Sequence, residues 1–549
     1  MTLSHRWEGK ETKSCSTTTN NYDARLENIP IAGLTKTFQD AILVAHQMEI
    51  KYLWIDSLCI IQAGDDGEDW NRESLKMAQY YQYSIFTLTA VRGAGQVGVF
   101  PATNQLDNRD LIQLPYRDRD GIKRGFIYLY SVKENLPTSY TDLVRSDELL
   151  GRGWVFQEQL LSRRLLYYTK AGVIFECRTA DPRNTLGDQW RRSSGAEMDD
   201  FGEVFRWTSK PQIDGGEPNR LFSSFLSGKF DLVEQSFDTW YKLVEEYSGK
   251  DLSFWSDRIR ALSGITAEYQ RFMQLWDIPP YLSGIWSQDL HFGLLWTQNG
   301  EPKPTLQKLS SEEVPRKTME RIAKIPSWSW ASLPAQVSWK HLYPHRHKLL
   351  AACKIISAAE TNEEEIVEEW ALSSKTGTIP SAANLAVTNQ TVPEFSLDRV
   401  LTRLKVQGKL QKVMIRAQRP SKDDKTFIFW DRYQDFSHDD FRRFVYSPLK
   451  PNLVAGWACF DNPNYGSSTI ESEENGLASV YAFRVMTEKH TERFGLSLGY
   501  WLPWNDLHYV LFLRRLGEIL YQRVGVGVLF GKDIQHEFRE AVEHEFALV

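Results

Sequence analysis

Hydrophobic positions in the first ~100 residues alternate between two periods. Leu34, Phe38, Ala41, Ile42 and Ala45 recur at three and four residues, so Ile31 to Gln47 is predicted helical, with Thr35 or Thr37 as its N-cap. Lys51 to Asp56 (KYLWID) is a short apolar run that predicts a buried strand, and Gly64-Asp65-Asp66-Gly67 predicts a loop. Trp70, Ser74, Met77 and Tyr81 fall on one stripe of a second predicted helix, and Tyr83 to Val91 is β-rich. Such alternation of helices with buried strands predicts a parallel α/β sheet.

The pattern then changes. Residues 182–250 are polar and mixed, with loops expected at Arg191-Arg192-Ser193-Ser194-Gly195 and Asp214-Gly215-Gly216. Trp240 to Tyr247 and Asp257 to Met273 are predicted helical. From Tyr281 onward short β-like runs dominate: Gly284 to Trp286, Phe292 to Trp296, Leu349 to Ile355, Val413 to Ile415, Ser479 to Val485 and Tyr509 to Leu513. The acidic Glu363-Glu364-Glu365 and the Ser/Thr/Ala-rich stretch 373–384 are expected to be exposed. The predicted organisation is an α/β domain over 1–181, a polar and helical connector over 182–280, and a β-rich domain over 281–549.

Composition narrows the class. The 549 residues are 42% hydrophobic and include 19 tryptophans, which excludes disorder as the main state and implies large cores or aromatic-lined clefts. A net charge of -6 gives no global footprint for a phosphate backbone, so no nucleic-acid partner is expected. The five widely spaced cysteines (Cys15, Cys59, Cys177, Cys353 and Cys459) form neither a disulfide framework nor a zinc motif. The N-terminus has no signal-peptide pattern, and no stretch of ~18 apolar residues exists to span a membrane. A soluble, cytoplasmic protein is expected.

Several motifs imitate chemistry. Gly93-Ala94-Gly95-Gln96-Val97-Gly98 matches GxGxxG, but Pro101 follows where a dinucleotide fold needs a helix, so a surface loop is expected. Gly527 to Asp533 has the wrong glycine offset for a phosphate-binding loop. Cys59 with His5 and Asp56 would suit a thiol hydrolase, against the commoner role of a lone cysteine in packing. His291, His341, His345 and His347 lack a third ligand at metal spacing.

Three segments resemble the fungal heterokaryon incompatibility (HET) domain. They are Leu3-Ser4-His5-Arg6-Trp7, then Leu34 to Ile42 running into Tyr52-Leu53-Trp54-Ile55-Asp56-Ser57-Leu58-Cys59, and Arg152-Gly153-Trp154-Val155-Phe156-Gln157-Glu158-Gln159-Leu160-Leu161-Ser162-Arg163-Arg164. Their order and spacing carry the resemblance over residues 1 to about 180. Glu8 stands where the family has glycine, and Met1 lies almost inside the first motif, so a short first strand is expected. Later segments, among them Pro326 to Ser332 and Tyr521 to Gly525, are similar to the region behind many HET domains.

The resemblance implies a role in self/non-self recognition and cell death, through a protein partner or self-assembly. HET domains in turn resemble TIR domains, which have a flavodoxin-like fold and in some members cleave NAD+. That implies ligand binding beyond the carboxyl ends of the strands. TIR enzymes place a glutamate four residues after a tryptophan, a spacing shared by Trp154 and Glu158. Glu158 is thus the candidate catalytic residue. Ser4, His5, Arg6, Trp7, Asp56, Ser57, Arg152 and Trp154 are candidates for ligand contact. NAD+ enters as a candidate substrate and no bound cofactor is expected. Structural roles compete for each. Glu158 has Arg163 and Arg164 nearby in sequence, Asp56 suits capping of loop amides, Arg6 suits a surface charge, and Trp154 suits the core.

Overall fold

The structure is a computed structural model. It describes residues 1–7, 15–91, 112–117, 120–129, 144, 147–169, 172–177, 180–184, 231–254, 257–274, 281–299, 325–359, 403–416, 442–461, 472–473, 477–489, 506–530 and 532–549. The glycine motif at 93–98, the loops at 191–195 and 214–216, the acidic run at 363–365 and the stretch 373–384 lie outside the described residues. The chain divides into two units. One comprises Met1–Val233, Lys250–Leu252 and Arg260–Phe272, the other Glu234–Gly249, Ser253–Ile259 and Met273–Val549.

The first unit holds strands β1 (Thr2–Ser4), β2 (Thr87–Ala90), β3 (Ile112–Arg117), β4 (Lys123–Leu129), β5 (Arg164–Thr169), β6 (Gly172–Cys177) and β7 (Ala180–Asn184). Its helices are α1 (Tyr22–Glu27), α2 (Lys36–Gln47), α3 (Asp56–Cys59), α4 (Glu68–Ser74), α5 (Met77–Tyr83) and α6 (Gly153–Leu161). The main sheet runs β1-β2-β5-β6-β7, and β3 and β4 form a separate hairpin. The expectation of a parallel sheet holds for β1, β2 and β5 only. β6 and β7 continue antiparallel, so the sheet is mixed. The β5–β6 connection is too short for the crossover that a parallel pair requires.

Sequence and local structure agree best at α2. The Thr35 hydroxyl accepts from the Phe38 amide and caps the helix, while Phe38, Ala41 and Ala45 pack with Leu3 and Leu88 on the sheet. Upstream, Ile31–Gly33 is a 3-10 turn rather than part of the helix. The buried strand expected at Lys51 to Asp56 is a single parallel bridge between Trp54 and Thr2. Tyr52 is exposed and Trp54 stacks on Tyr80, so the run does not bury both faces as a central strand would. The helix expected over Trp70 to Tyr81 breaks into α4 and α5, although Ser74, Met77 and Tyr81 do share the buried side.

Of two later helices, α7 (Asp231–Ser248) covers the segment read at 240–247, and α8 (Ser263–Gln274) the later part of that read at 257–273, which begins instead with a turn and the 3-10 segment Arg260–Leu262. The buried Gln157 of α6 accepts the Gly264 amide at 2.8 Å. A Cβ at Gly264 would meet the Ala78 Cβ at 2.2 Å, so glycine permits this approach of α8 to α5 and α6.

The second unit opens with short pairs: β8 (Tyr281–Leu282) with β9 (Ile285–Trp286), and β10 (Thr297–Gln298) with β11 (Val337–Ser338). Between them Phe292 lies in a short helix, α9 (Leu290–Gly293), followed by a turn, where a strand was expected over Phe292 to Trp296. All five of those residues are buried, and a short, wholly buried run has no period to separate helix from strand. Then come β12 (Leu349–Ala351), β13 (Lys354–Ala359), β14 (Arg403–Arg416), β15 (Arg442–Ser447), β16 (Lys450–Phe460), β17 (Ser472–Glu473), β18 (Leu477–Glu488), β19 (Leu507–Arg515) and β20 (Leu520–Leu529). Helix α10 (Lys532–Glu540) and β21 (Glu543–Leu548) end the chain.

The antiparallel pairings close on themselves in the order β14-β15-β16-β20-β19-β18 and back to β14. Closure removes sheet edges that would otherwise need protection. Val413, Val445, Ala458, Val480 and Phe512 belong to its apolar core, together with Ile534 and Phe538 of α10. Gly527 lets two strands approach, since a Cβ there would lie 2.1 Å from the Trp457 carbonyl oxygen.

Candidate functional site

The polar residues that end β1 meet the start of α3 and the α6 segment. Asp56 is the hub. Its Oδ2 accepts the Trp7 indole N–H at 2.9 Å, and its Oδ1 accepts the Ser57 amide at 2.7 Å and faces His5 Nδ1 at 3.9 Å. The amide bond is the loop-capping role that competed with ligand contact for Asp56. It also fixes the carboxyl group. Arg152 Nη1 donates to the His5 carbonyl at 3.2 Å, which brings the third sequence segment to the first.

Glu158 lies in α6, buried to 6% exposure. Burial pushes its carboxyl up to about 7, with the negative charge of Asp56 adding to the rise. The Ser4 and Tyr81 hydroxyls and the charge of Arg152 pull the other way. Tyr81 also donates to the Leu3 carbonyl at 3.3 Å, and its own ionisation is pushed far out of range by burial and by Glu158. Neither Arg163 nor Arg164 forms an ion pair with Glu158 among the described residues. Instead Arg164 donates to the Ile85 carbonyl and Arg163 lies over the Tyr83 ring.

Ser4, His5, Trp7, Asp56, Ser57, Arg152 and Glu158 are therefore linked through direct contacts or charge coupling. Two candidates stand apart. Arg6 pairs with Glu148, and both side chains are exposed. Trp154 meets Trp70 edge-on at 6.0 Å, with the Arg260 guanidinium 4.9 Å over the Trp70 ring, a packing arrangement. Tyr81 was not anticipated as a site residue. The stripe containing it gave its burial but not its hydroxyl's direction.

Cys59 is exposed, and its thiol is pushed up by partial burial and by the Asp56 and Glu73 charges. A nucleophilic thiol requires the reverse shift, so the geometry does not favour a cysteine hydrolase. No group of three or more metal-ligating side chains occurs among the described residues. His291 bonds the Cys353 carbonyl, and His345 and His347 lie in the 3-10 segment Tyr343–Lys348. Nor is any helix among the described residues long and apolar enough to cross a membrane.

The fold and the cluster define an α/β domain with a polar centre at the ends of its parallel strands. Residues 1–158 match the family described as "Heterokaryon incompatibility protein (HET)", so the chain carries a HET domain over those residues. No curated protein and no solved structure matches the chain.

Proposed function

We propose that the chain is an effector of self/non-self recognition and cell death whose TIR-like N-terminal unit cleaves a nucleotide, NAD+ being the substrate to try first. The observation that carries this reading is the convergence of Glu158, Asp56 and Arg152 near the carboxyl end of β1. Ligands of open parallel sheets bind at such ends. In this reading Arg152 attracts the pyrophosphate and Asp56 with Ser57 holds polar groups of the ribose. Ionised Glu158 stabilises positive charge on the sugar as its C1′–N bond breaks, the role carboxylates play around oxocarbenium-like transition states. The bonding pair passes to the nicotinamide ring nitrogen, and water adds to C1′ with release of a proton. The β-rich region would then serve as regulator or assembly surface.

A second reading, a non-enzymatic interaction module, draws on the deep burial of Glu158 and the packing of Trp154 on Trp70. Purified full-length chain incubated with NAD+ separates the two. Nicotinamide release lost in Glu158→Gln supports the enzyme. No release from the wild type, as monomer or assembled, overturns it.

A further inference from the structure

We infer that His5 is a second catalytic group of this site, taking a proton from the attacking water, with Asp56 as its positioning residue; this rests on the nucleotide-cleaving reading above. The imidazole is buried and sits edge-on to Phe38, ring centroids 5.0 Å apart. Its two nitrogens have different surroundings. Nδ1 faces Asp56 Oδ1 at 3.9 Å, while Nε2 is buried with no hydrogen-bond partner among the described residues. The Ser57 hydroxyl, on the residue next to Asp56, is likewise buried and without a partner. Buried polar atoms are costly to leave unmatched, so two of them in one cluster point to a ligand or water that completes the set.

Asp56 is itself held by the Trp7 indole and the Ser57 amide, so its position is fixed from two sides. A carboxyl group facing Nδ1 places the imidazole proton there and leaves Nε2 as the proton acceptor. At 3.9 Å the neutral ring is close to the carboxylate but not hydrogen-bonded to it. Catalytic hydrogen bonds commonly shorten only when substrate is bound. Asp56 and Arg152 are the charged groups acting on the ring, and both also act on Glu158, which the Tyr81 hydroxyl hydrogen-bonds. Burial lowers the imidazole's pKa, Asp56 opposes this and Arg152 adds to it; the net direction is down, which keeps the ring neutral at neutral pH, as a base must be.

The step balances. A water O–H bond breaks and its proton passes to Nε2. The oxygen bonds C1′ while the C1′–N pair passes to the pyridinium nitrogen, giving neutral nicotinamide. The imidazolium formed beside Asp56 then releases the proton to solvent. One NAD+ and one water yield ADP-ribose, nicotinamide and a proton.

The test is nicotinamide release from NAD+ by the full chain across pH 5 to 9. On the acid side the logarithm of the wild-type rate is expected to fall with a slope of one as Glu158 is protonated, and to steepen to two where His5 is protonated as well. His5→Asn keeps an amide toward Asp56 but lacks Nε2. Its kcat is expected to drop by about 100-fold or more with KM little changed, and its acid slope to fall to one. Asp56→Asn is expected to move the His5 step to lower pH. Wild-type rate or a slope of two in His5→Asn overturns the assignment of His5 and leaves the nucleotide reading standing. If His5→Asn does not fold by circular dichroism, Asp56→Asn decides: Asp56 raises Glu158 too, so the slope-one part moves in any case, while a slope-two part that stays in place overturns the inference. No release from the wild type overturns both.

Discussion

Arg523, in the β-rich unit, uses its guanidinium fully. It donates to the carbonyls of Leu294 and Trp296 at 2.6 Å each, pairs with both Asp461 oxygens, and lies 3.1 Å from the centroid of the Trp296 ring. Glu245 of the same unit accepts from the Trp339 amide and from the Ser338 and Tyr343 hydroxyls. In contrast to these two groups, His5 Nε2 and the Ser57 hydroxyl of the N-terminal unit lack partners among the described residues, and Glu158 is held near 7 in its burial. Both units bury polar groups. A saturated one ties elements of the fold together. An unsaturated one lowers stability in the free protein and leaves a donor or acceptor open to whatever binds there.

The largest expected effect breaks the saturated side. Arg523→Met leaves the half-buried Asp461 without its counter-charge and takes the guanidinium donors from two carbonyls. The Asp461 carboxyl is already pushed up by burial, and Arg523 pulls it back down. Loss of about 3–5 kcal/mol is expected, seen as a lower midpoint in urea. A change within ±0.5 kcal/mol would mean that saturation is not what stabilises this unit.

The next prediction has the opposite sign. The Glu158 carboxyl rises from 4.5 to about 7 on folding. Below the unfolded value it is protonated in both states and costs nothing. As pH rises through the folded value, folding must keep a disfavoured charge or bind a proton, and stability falls. At about 1.4 kcal/mol per unit, the penalty is on the order of 3 kcal/mol above pH 7. Glu158→Gln, which cannot ionise, is therefore expected to be more stable than wild type at pH 8 and equal to it near pH 4. A destabilised variant at pH 8 would place Glu158 among the saturated groups and remove its contrast with Arg523 and Glu245.

How far these groups could be read from sequence follows from their range. Residues that act through local spacing were legible. Thr35 caps α2 as its position before the periodic run foretold, and Trp154 and Glu158 do share one helix. Asp56 was legible as an element end, and its contacts with His5 and Trp7 join segments about fifty residues apart that the family motifs had already paired. Effects that depend on pairing partners were not legible. Strand period does not say whether β6 lies parallel or antiparallel to β5, nor that β14 meets both β15 and β18 and closes the ring. Burial misled at Phe292 to Trp296 for the same reason, since an all-buried segment carries no facing information.

Closure itself is open to a smaller test. Gly527 meets the Trp457 carbonyl where β20 crosses β16. Gly527→Ala is expected to cost about 1–3 kcal/mol through overpacking against backbone that cannot rotate away. Paired with Arg523→Met, it asks whether strand packing and charge saturation stabilise the unit separately. Additive losses within about 0.5 kcal/mol would show independent sites. A markedly sub-additive pair would show that the guanidinium network already depends on the ring's register.

The smallest effect provides the reference for the N-terminal unit. The Thr35 hydroxyl satisfies the Phe38 amide, and it neither titrates nor contacts the cluster around Asp56 in the bonds it makes. Thr35→Ala is expected to cost about 1 kcal/mol by leaving that amide unpaired. The loss should be the same at pH 5 and pH 8, because no proton is linked to the cap. Glu158→Gln should change by on the order of 3 kcal/mol between the acidic and alkaline ends of its range. The two substitutions together therefore distinguish a structural hydrogen bond from a strained carboxyl in one folded unit, under one set of denaturation curves. If the Thr35→Ala loss also varied with pH, the cap and the cluster would be coupled through α2, whose Phe38 packs on the His5 ring. The pH dependence assigned to Glu158 alone would then belong to the helix and the strand ends jointly.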